Sequence, residues 1–147
     1  MQFHKRRFIY LSISTLIFSM LLFSSCSKRI SFPPSAVVPG VEPKAKVKKT
    51  DDGDYRVSLD VNHLVRPEQL SPPKKHYVVW INTENQGVRN IGELKNRSGM
   101  MANTRRASFE RTIGFKPTQI FVTSENSTDV QFPGDQTVFR SETFRTK

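Results

Sequence analysis

The only cysteine of this chain stands where a modifying enzyme would meet it. Cys26 follows an almost unbroken apolar run over residues 8–23, and that run follows the basic residues 5–7. Two serines at 24–25 come directly before the cysteine. A short basic start, an apolar middle and small residues at a cleavage point are the pattern of a secretory signal peptide. The sequence therefore predicts that residues 1–25 are a signal peptide. A lone cysteine also excludes an intrachain disulfide.

The segment 22–26, Leu-Phe-Ser-Ser-Cys, resembles a bacterial lipobox, although Phe23 stands where Leu is usual. The resemblance implies that Cys26 becomes the lipid-bearing first residue of a lipoprotein, anchored through several acyl chains. The alternatives are an uncleaved membrane anchor and a free thiol. Signal and anchor both place the rest of the chain outside the cytoplasm. Because neither an Asp nor an acidic run follows Cys26, we expect an outer-membrane protein that faces the periplasm.

Metal-ligating residues are sparse and badly spaced. His63 and His76 are the only histidines after the leader, and neither belongs to a His-x-Glu or His-x-x-x-His pair. The aspartates within 51–54 surround Gly53, but no glutamate follows at the spacing of a calcium loop, so a turn is favoured. The sequence predicts no metal site.

Catalytic constellations are also lacking in the sequence. No serine lies in a Gly-x-Ser-x-Gly segment, and the carboxylates at strand ends are isolated rather than paired. These single carboxylates are Glu84, Glu93, Glu110 and Glu125. We therefore expect a protein that is not an enzyme, with neither catalytic residues nor a cofactor.

Three residues are candidates for an interface. Trp80 is the only tryptophan, and an indole can serve as a ligand platform or an anchor for a partner. Packing in the core is the commoner fate of such a residue. Arg105 and Arg106 can engage an acidic partner or lipid headgroups, and a solvated loop edge is the alternative.

The net charge of +10 is concentrated near the N-terminus. Basic residues dominate the leader and the segment 28–50, whereas basic and acidic residues are nearly balanced over 51–147. A basic segment beside a lipid anchor would lie near anionic headgroups. A basic patch on the folded domain is the expected footprint of nucleic-acid binding, so we expect no nucleic-acid partner.

The remainder of the chain alternates apolar and polar residues with a period of two, which predicts β-strands. Turns rich in Gly, Pro, Asn and Asp separate them, and Asp52-Gly53 is a strong hairpin signal. Gly92 is expected at a bulge or bend. The predicted fold over residues 44–147 is a single immunoglobulin-like antiparallel β-sandwich of about seven strands. The predicted strands lie at 45–49, 55–62, 76–83, 88–94, 107–113, 120–123 and 137–144.

Residues 26–43 carry four prolines and a glycine among scattered apolar residues. Closely spaced prolines favour an extended chain. We predict a lipid-anchored, basic spacer that holds the domain away from the membrane. In the alternative, Ile30, Phe32, Val37 and Val38 pack on the domain as an irregular edge strand.

Residues 77–81, Tyr-Val-Val-Trp-Ile, are followed by Gly87 and by the Ile-Gly-Glu-Leu of 91–94. With Phe-Val-Thr-Ser-Glu at 121–125 and Pro-Gly at 133–134, this pattern resembles the extracytoplasmic domain of anti-sigma-K factors. The resemblance spans about 77–139 and implies an immunoglobulin-like module outside the cytoplasm. It implies no sigma-factor binding, because a separate cytoplasmic domain does that in the family. The chain also resembles small uncharacterised lipoproteins of Bacteroidetes-type bacteria.

These observations predict a non-catalytic, lipid-anchored envelope module that binds an envelope protein or has a structural role. The alternative is a sensor of a small molecule or of envelope stress, related to the anti-sigma-factor domains and using a pocket near Trp80.

Overall fold

The computed structural model describes residues 29–99 and 103–146. Cys26 and the predicted signal peptide lie outside this part of the chain. The described residues form an all-β fold whose helical content is one 3-10 turn, Pro67–Gln69. The strands are β1 (Arg29–Ile30), β2 (Glu42–Lys49), β3 (Tyr55–Asn62), β4 (His76–Thr83), β5 (Val88–Asn96), β6 (Ala107–Ile113), β7 (Pro117–Glu125) and β8 (Thr137–Arg140).

All strands join one antiparallel sheet in the order β1-β2-β3-β6-β5-β4-β7-β8. The sheet curls so that β1, β2, β3 and β6 form one layer, and β5, β4, β7 and β8 form the other. Two pairs, Lys95 with Ser108 and Asn96 with Ala107, connect the layers. The predicted antiparallel, sandwich-like fold of about seven strands is confirmed: seven strands have four residues or more, and β1 has two.

The main core lies between the two layers. Strand β3 shows the simplest pattern, since its residues are alternately buried and exposed over almost their full length, as expected when one face meets the core. Removing each large aliphatic side chain from water contributes about 1.5–3 kcal/mol. The largest contributors are Leu59, Leu64, Tyr77, Ile81, Ile91, Leu94 and Ile120.

Strand β4 is buried on both faces, as its unbroken apolar sequence predicts. One face contributes to the main core, whereas Val78 and Trp80 point to the other side of their layer. There they pack with Phe121 of β7 and with Val130, which belongs to the segment 126–136 between β7 and β8. This segment therefore covers the outer face of the second layer and creates a small second core.

Gly92 lies at an irregularity that turns β5 from one layer towards the other. Opposite β4, the register shifts between Val79, which faces Gly92, and Trp80, which faces Asn90. Gly92 has φ +131°, and a Cβ there would lie 3.1 Å from the ring of Phe109. Only glycine meets both demands without strain, so the predicted bulge is confirmed.

The predicted spacer is the clearest correction. Within 29–41, Ile30, Val38 and Val41 are buried in the main core, and Phe32 and Val37 pack against it. Ile30 also pairs with Ala45, which makes β1 the first strand of the sheet. The prolines keep the segment extended, but its apolar side chains gain more by packing than a solvated spacer would allow. The alternative of an irregular edge strand is thus what the structure shows.

The last strand is shorter than predicted and ends at Arg140. The backbone N–H of Ile120 donates to the hydroxyl of Ser141 at 3.0 Å. A side-chain oxygen thus takes the place of a backbone carbonyl in the hydrogen-bond ladder between β7 and β8. The chain still follows β7, because the Phe144 amide donates to the carbonyl of Thr118 at 2.8 Å.

Among the described residues, no helix is long and apolar enough to cross a bilayer.

Candidate functional site

An open groove of about 450 Å³ lies where the connection between β3 and β4 meets the hairpin of β5 and β6. Its walls come from the 3-10 turn, the start of β4, the end of β5 and the loop that follows β5. Leu94 and Pro67 are apolar lining residues, and both are buried. Most of the other lining residues are charged: Arg66, Glu68, Lys75, His76, Glu93, Lys95 and Arg97.

His76, Glu93 and Lys95 form a chain of charged hydrogen bonds on one side of the groove. Nδ1 of His76 donates to Oε1 of Glu93 at 2.7 Å, and Nζ of Lys95 lies 3.0 Å from Oε2 of the same carboxylate. The hairpin of β4 and β5 brings them together, since Tyr77 is opposite Leu94. Both oxygens of Glu93 thereby accept a hydrogen bond, one from the imidazole of His76 and one from the ammonium of Lys95.

These contacts affect the ionisation of Glu93. Partial burial raises the pKa of its carboxyl group, but the hydrogen bonds and charges of His76 and Lys95 together lower it by more. The pKa of Glu93 therefore lies below its ordinary value, and the group stays anionic in neutral solution. The carboxylate neutralises part of the positive charge at this side of the groove.

Three other cations of the groove have no such partner. Within the described residues, neither Arg66 nor Lys75 nor Arg97 forms an ion pair with a carboxylate. Glu68 is the only further acidic residue among those that line the groove. The groove consequently carries an excess of exposed, hydrogen-bonding positive charge, which suits an anionic ligand.

The walls of the groove are held by hydrogen bonds to the backbone. The side-chain amide of Asn96 donates to the carbonyls of Leu64 and Thr104, both at 2.9 Å. The hydroxyl of Tyr77 donates to the carbonyl of Val65 at 3.0 Å, and burial of this phenol raises its pKa. The groove is therefore largely preformed, which lowers the entropic cost of binding.

Arg105 and Arg106, the two arginines singled out from the sequence, lie beside this groove and are both exposed. The Leu64 amide donates to the Arg105 carbonyl at 2.9 Å, and the Arg97 amide donates to the Arg106 carbonyl at 2.7 Å. Both arginines are thus hydrogen-bonded through their backbones to the segments that form the groove wall.

Trp80, the third candidate, is fully buried in the second core. The Trp80 ring stacks on the Phe121 ring, and the two ring centroids are 6.2 Å apart. The guanidinium carbon of Arg140 lies over the Phe121 ring, 3.9 Å from its centroid. The indole N–H donates to the hydroxyl of Thr123 at 2.8 Å, which donates in turn to Glu125 at 2.6 Å.

The covering segment completes this arrangement. The backbone N–H of Gly134 donates to the carboxylate of Glu125 at 2.7 Å. The side-chain amide of Asn90 donates to the backbone carbonyls of Thr128 and Val130. The indole therefore has no surface on which a ligand or partner can rest in this conformation. A pocket at Trp80, as the sensor alternative requires, is not what the described residues form.

The remaining candidates are dispersed. His63 lies 3.8 Å from the carboxylate of Glu42, whereas His76 contacts Glu93. The two histidines therefore belong to separate pairs. Within residues 29–99 and 103–146, no three His, Cys, Asp or Glu side chains cluster as a metal site would need. The aspartates around Gly53 lie in the turn between β2 and β3, where Gly53 donates to the Thr50 carbonyl at 3.1 Å.

Comparison with known proteins found no matching family model, no matching curated protein and no matching solved structure. The resemblance to anti-sigma-K domains accordingly remains a prediction from the sequence.

The sequence alone did not single out the groove, although one signal pointed to it. A hairpin that turns at 84–87 brings His76 opposite the end of β5, where Glu93 and Lys95 stand.

Proposed function

We propose that this protein is a non-catalytic, lipid-anchored module of the bacterial envelope whose folded body binds an acidic segment of another envelope protein. The observation that carries the binding proposal is the groove, where Arg66, Lys75 and Arg97 converge without an ion-pair partner among the described residues. The anchor rests on the sequence pattern that ends at Cys26.

Binding fits the groove better than catalysis. The one oriented pair, His76 with Glu93, also engages Lys95, and among the described residues no nucleophile donates a hydrogen bond to His76. Within the part of the chain that the structure describes, the pair therefore engages Lys95 rather than a serine, threonine or cysteine side chain.

An extended acidic peptide matches the shape and charge of the site. The groove is open, and the exposed Arg105 and Arg106 directly follow Thr104, one of its lining residues. Arginine and lysine provide several donors for carboxylates, and charged hydrogen bonds contribute about 1.5–3 kcal/mol each.

Titration of the full protein in detergent with a fluorescent hexaglutamate peptide tests the proposal. Exchange of Lys75 and Arg97 for glutamate should weaken binding at least about tenfold, because two charged contacts are reversed. The matched control reverses Arg89 and Arg145, which are exposed and lie outside the groove. Equal affinity for the two double variants would show that the groove does not bind acidic chains.

We further propose that the body faces the periplasm from the outer membrane. The sequence after Cys26 supports this location, since it carries neither an Asp nor an acidic run.

A further inference from the structure

The outer face of the first layer carries a strongly basic strip. Lys44, Lys46 and Lys48 alternate with the inward residues of β2, so all three side chains leave the sheet on the same side. Arg56 of β3 lies directly opposite Lys48 and extends the strip. We call these four residues the basic face. All four are exposed.

Three acidic side chains lie near the basic face. Glu42 leaves β2 on the same side two residues before Lys44, and its carboxylate lies 3.8 Å from His63. Asp60 lies opposite Lys44, and Glu110 lies opposite Ser58, from whose hydroxyl it accepts a hydrogen bond at 2.9 Å. No residue of the basic face forms an ion pair within the part of the chain that the structure describes. The face therefore keeps a net positive charge.

The basic face lies close to the point where the chain arrives from the proposed anchor. Arg29 is paired with Lys46, the middle lysine of the face. Cys26 is three residues earlier in the sequence, and three extended residues span at most about 10 Å. A lipid at Cys26 therefore leaves no room for a long spacer between the bilayer surface and β2.

We propose that the basic face docks on the anionic headgroups of the membrane to which the protein is anchored, and so fixes the orientation of the body. This inference rests on the proposed anchor. Each lysine near an anionic surface shifts the ratio of docked to undocked protein by about fivefold, and the effect acts within a Debye length. The anchor holds the lysines within that range, so their effects multiply. Lysines that merely protect a sheet edge would show no preference for anionic lipid.

Quenching by headgroup-labelled lipid measures the docking. The anchored protein is placed in phosphatidylcholine vesicles with or without phosphatidylglycerol, with a fluorophore on Ser58→Cys in the basic layer. A second sample carries it on Ser127→Cys, in the segment that covers the opposite layer. Quenching at position 58 should exceed quenching at 127 in anionic vesicles, and the excess should disappear in high salt.

Charge variants complete the test. Exchange of Lys46 and Lys48 for glutamate should lower the docked-to-undocked ratio at least about 25-fold, since each lost lysine accounts for about fivefold. The control variant with Arg89 and Arg145 exchanged for glutamate has the same net charge and should dock normally. Equal quenching at both positions in anchored protein would overturn the docking alone. Protein that stays out of the vesicles, with Cys26 open to the fluorophore, would overturn the anchor and the docking together.

Discussion

Arg29 lies opposite Lys46 in the outermost strand pair of the sheet. The chain consequently joins the folded body only three residues after Cys26, and it does so beside the lysines of β2. This pairing changes the picture drawn from the prolines of 31–43, because Arg29 before them and the lysines of 44–49 after them belong to paired strands. A lipid at Cys26, as proposed, would hold the folded body close to the bilayer surface.

The segment 29–41 should contribute to stability as a core element does. Val38→Ala removes a side chain that is 4% exposed, and we expect a loss of about 1–3 kcal/mol in the free energy of unfolding. Ala36→Ser, at an exposed position of the same segment, should change it by less than about 0.5 kcal/mol. Urea unfolding followed by tryptophan fluorescence measures both. Equal midpoints would show that this segment does not pack on the body.

Gly92 should tolerate no side chain. Gly92→Ala places a Cβ 3.1 Å from Phe109 and 3.3 Å from Arg111, at a φ of +131°. We expect a destabilisation of about 1–3 kcal/mol from strain and crowding. Gly114→Ala is the control, since its Cβ would meet its nearest neighbour at an ordinary 3.6 Å and its φ is not in the positive region. Thermal unfolding should rank the two variants clearly, and a neutral Gly92→Ala would contradict the structural role of the bulge.

Thr123 should stabilise the second core through its hydroxyl. Thr123→Val keeps the shape but leaves the indole N–H of Trp80 and the carboxylate of Glu125 each without one partner. A buried polar group without a partner costs about 1–3 kcal/mol, so this variant should unfold at lower urea. Thr123→Ser, which retains the hydroxyl, should lose less. The hydrogen bond would be unimportant if valine and serine variants unfolded together at the wild-type midpoint.

Glu93 should make the stability depend on acid. Its pKa is lower in the folded protein than the ordinary value of 4.5, so its stabilising contribution is complete above that value. The contribution is lost as the pH falls through the lower folded value. The wild type should therefore exceed Glu93→Gln in stability at neutral pH, and the difference should shrink as the pH falls through the lowered pKa of Glu93.

Urea unfolding at several pH values measures this difference. Glu142→Gln is the control, because Glu142 is exposed and forms no ion pair among the described residues. A gap between wild type and Glu93→Gln that stayed constant on acidification would exclude the proposed role of the carboxylate.

Most strands were predictable because one face of each meets the core. Tyr55–Asn62 alternates so regularly that its bounds are given by the apolar period alone, and the apolar His76–Thr83 indicates burial on both faces. The Asp52-Gly53 turn and the bulge at Gly92 follow from local chemistry, since glycine adopts positive φ without strain.

What was missed depends on contacts between distant parts of the chain. Proline spacing describes the backbone of 29–41 but not the gain from burying Ile30 and Val38 against the layers. The cover over Trp80 also comes from a segment some fifty residues later, 126–136, whose polar sequence gives no sign of it. The groove was missed for the same reason, because its unpaired cations come from two separate connections, the one between β3 and β4 and the one between β5 and β6.

The proposed lipid at Cys26 is the feature on which both the anchor and the membrane docking depend. The decisive measurement is the intact mass of the protein extracted from bacterial membranes, compared with the Cys26→Ala variant. We expect wild-type protein that begins at Cys26 and carries the added mass of acyl chains, and a variant that lacks this mass and leaves the lipoprotein fraction. A wild-type protein with its leader intact and an unmodified thiol would contradict the central claim.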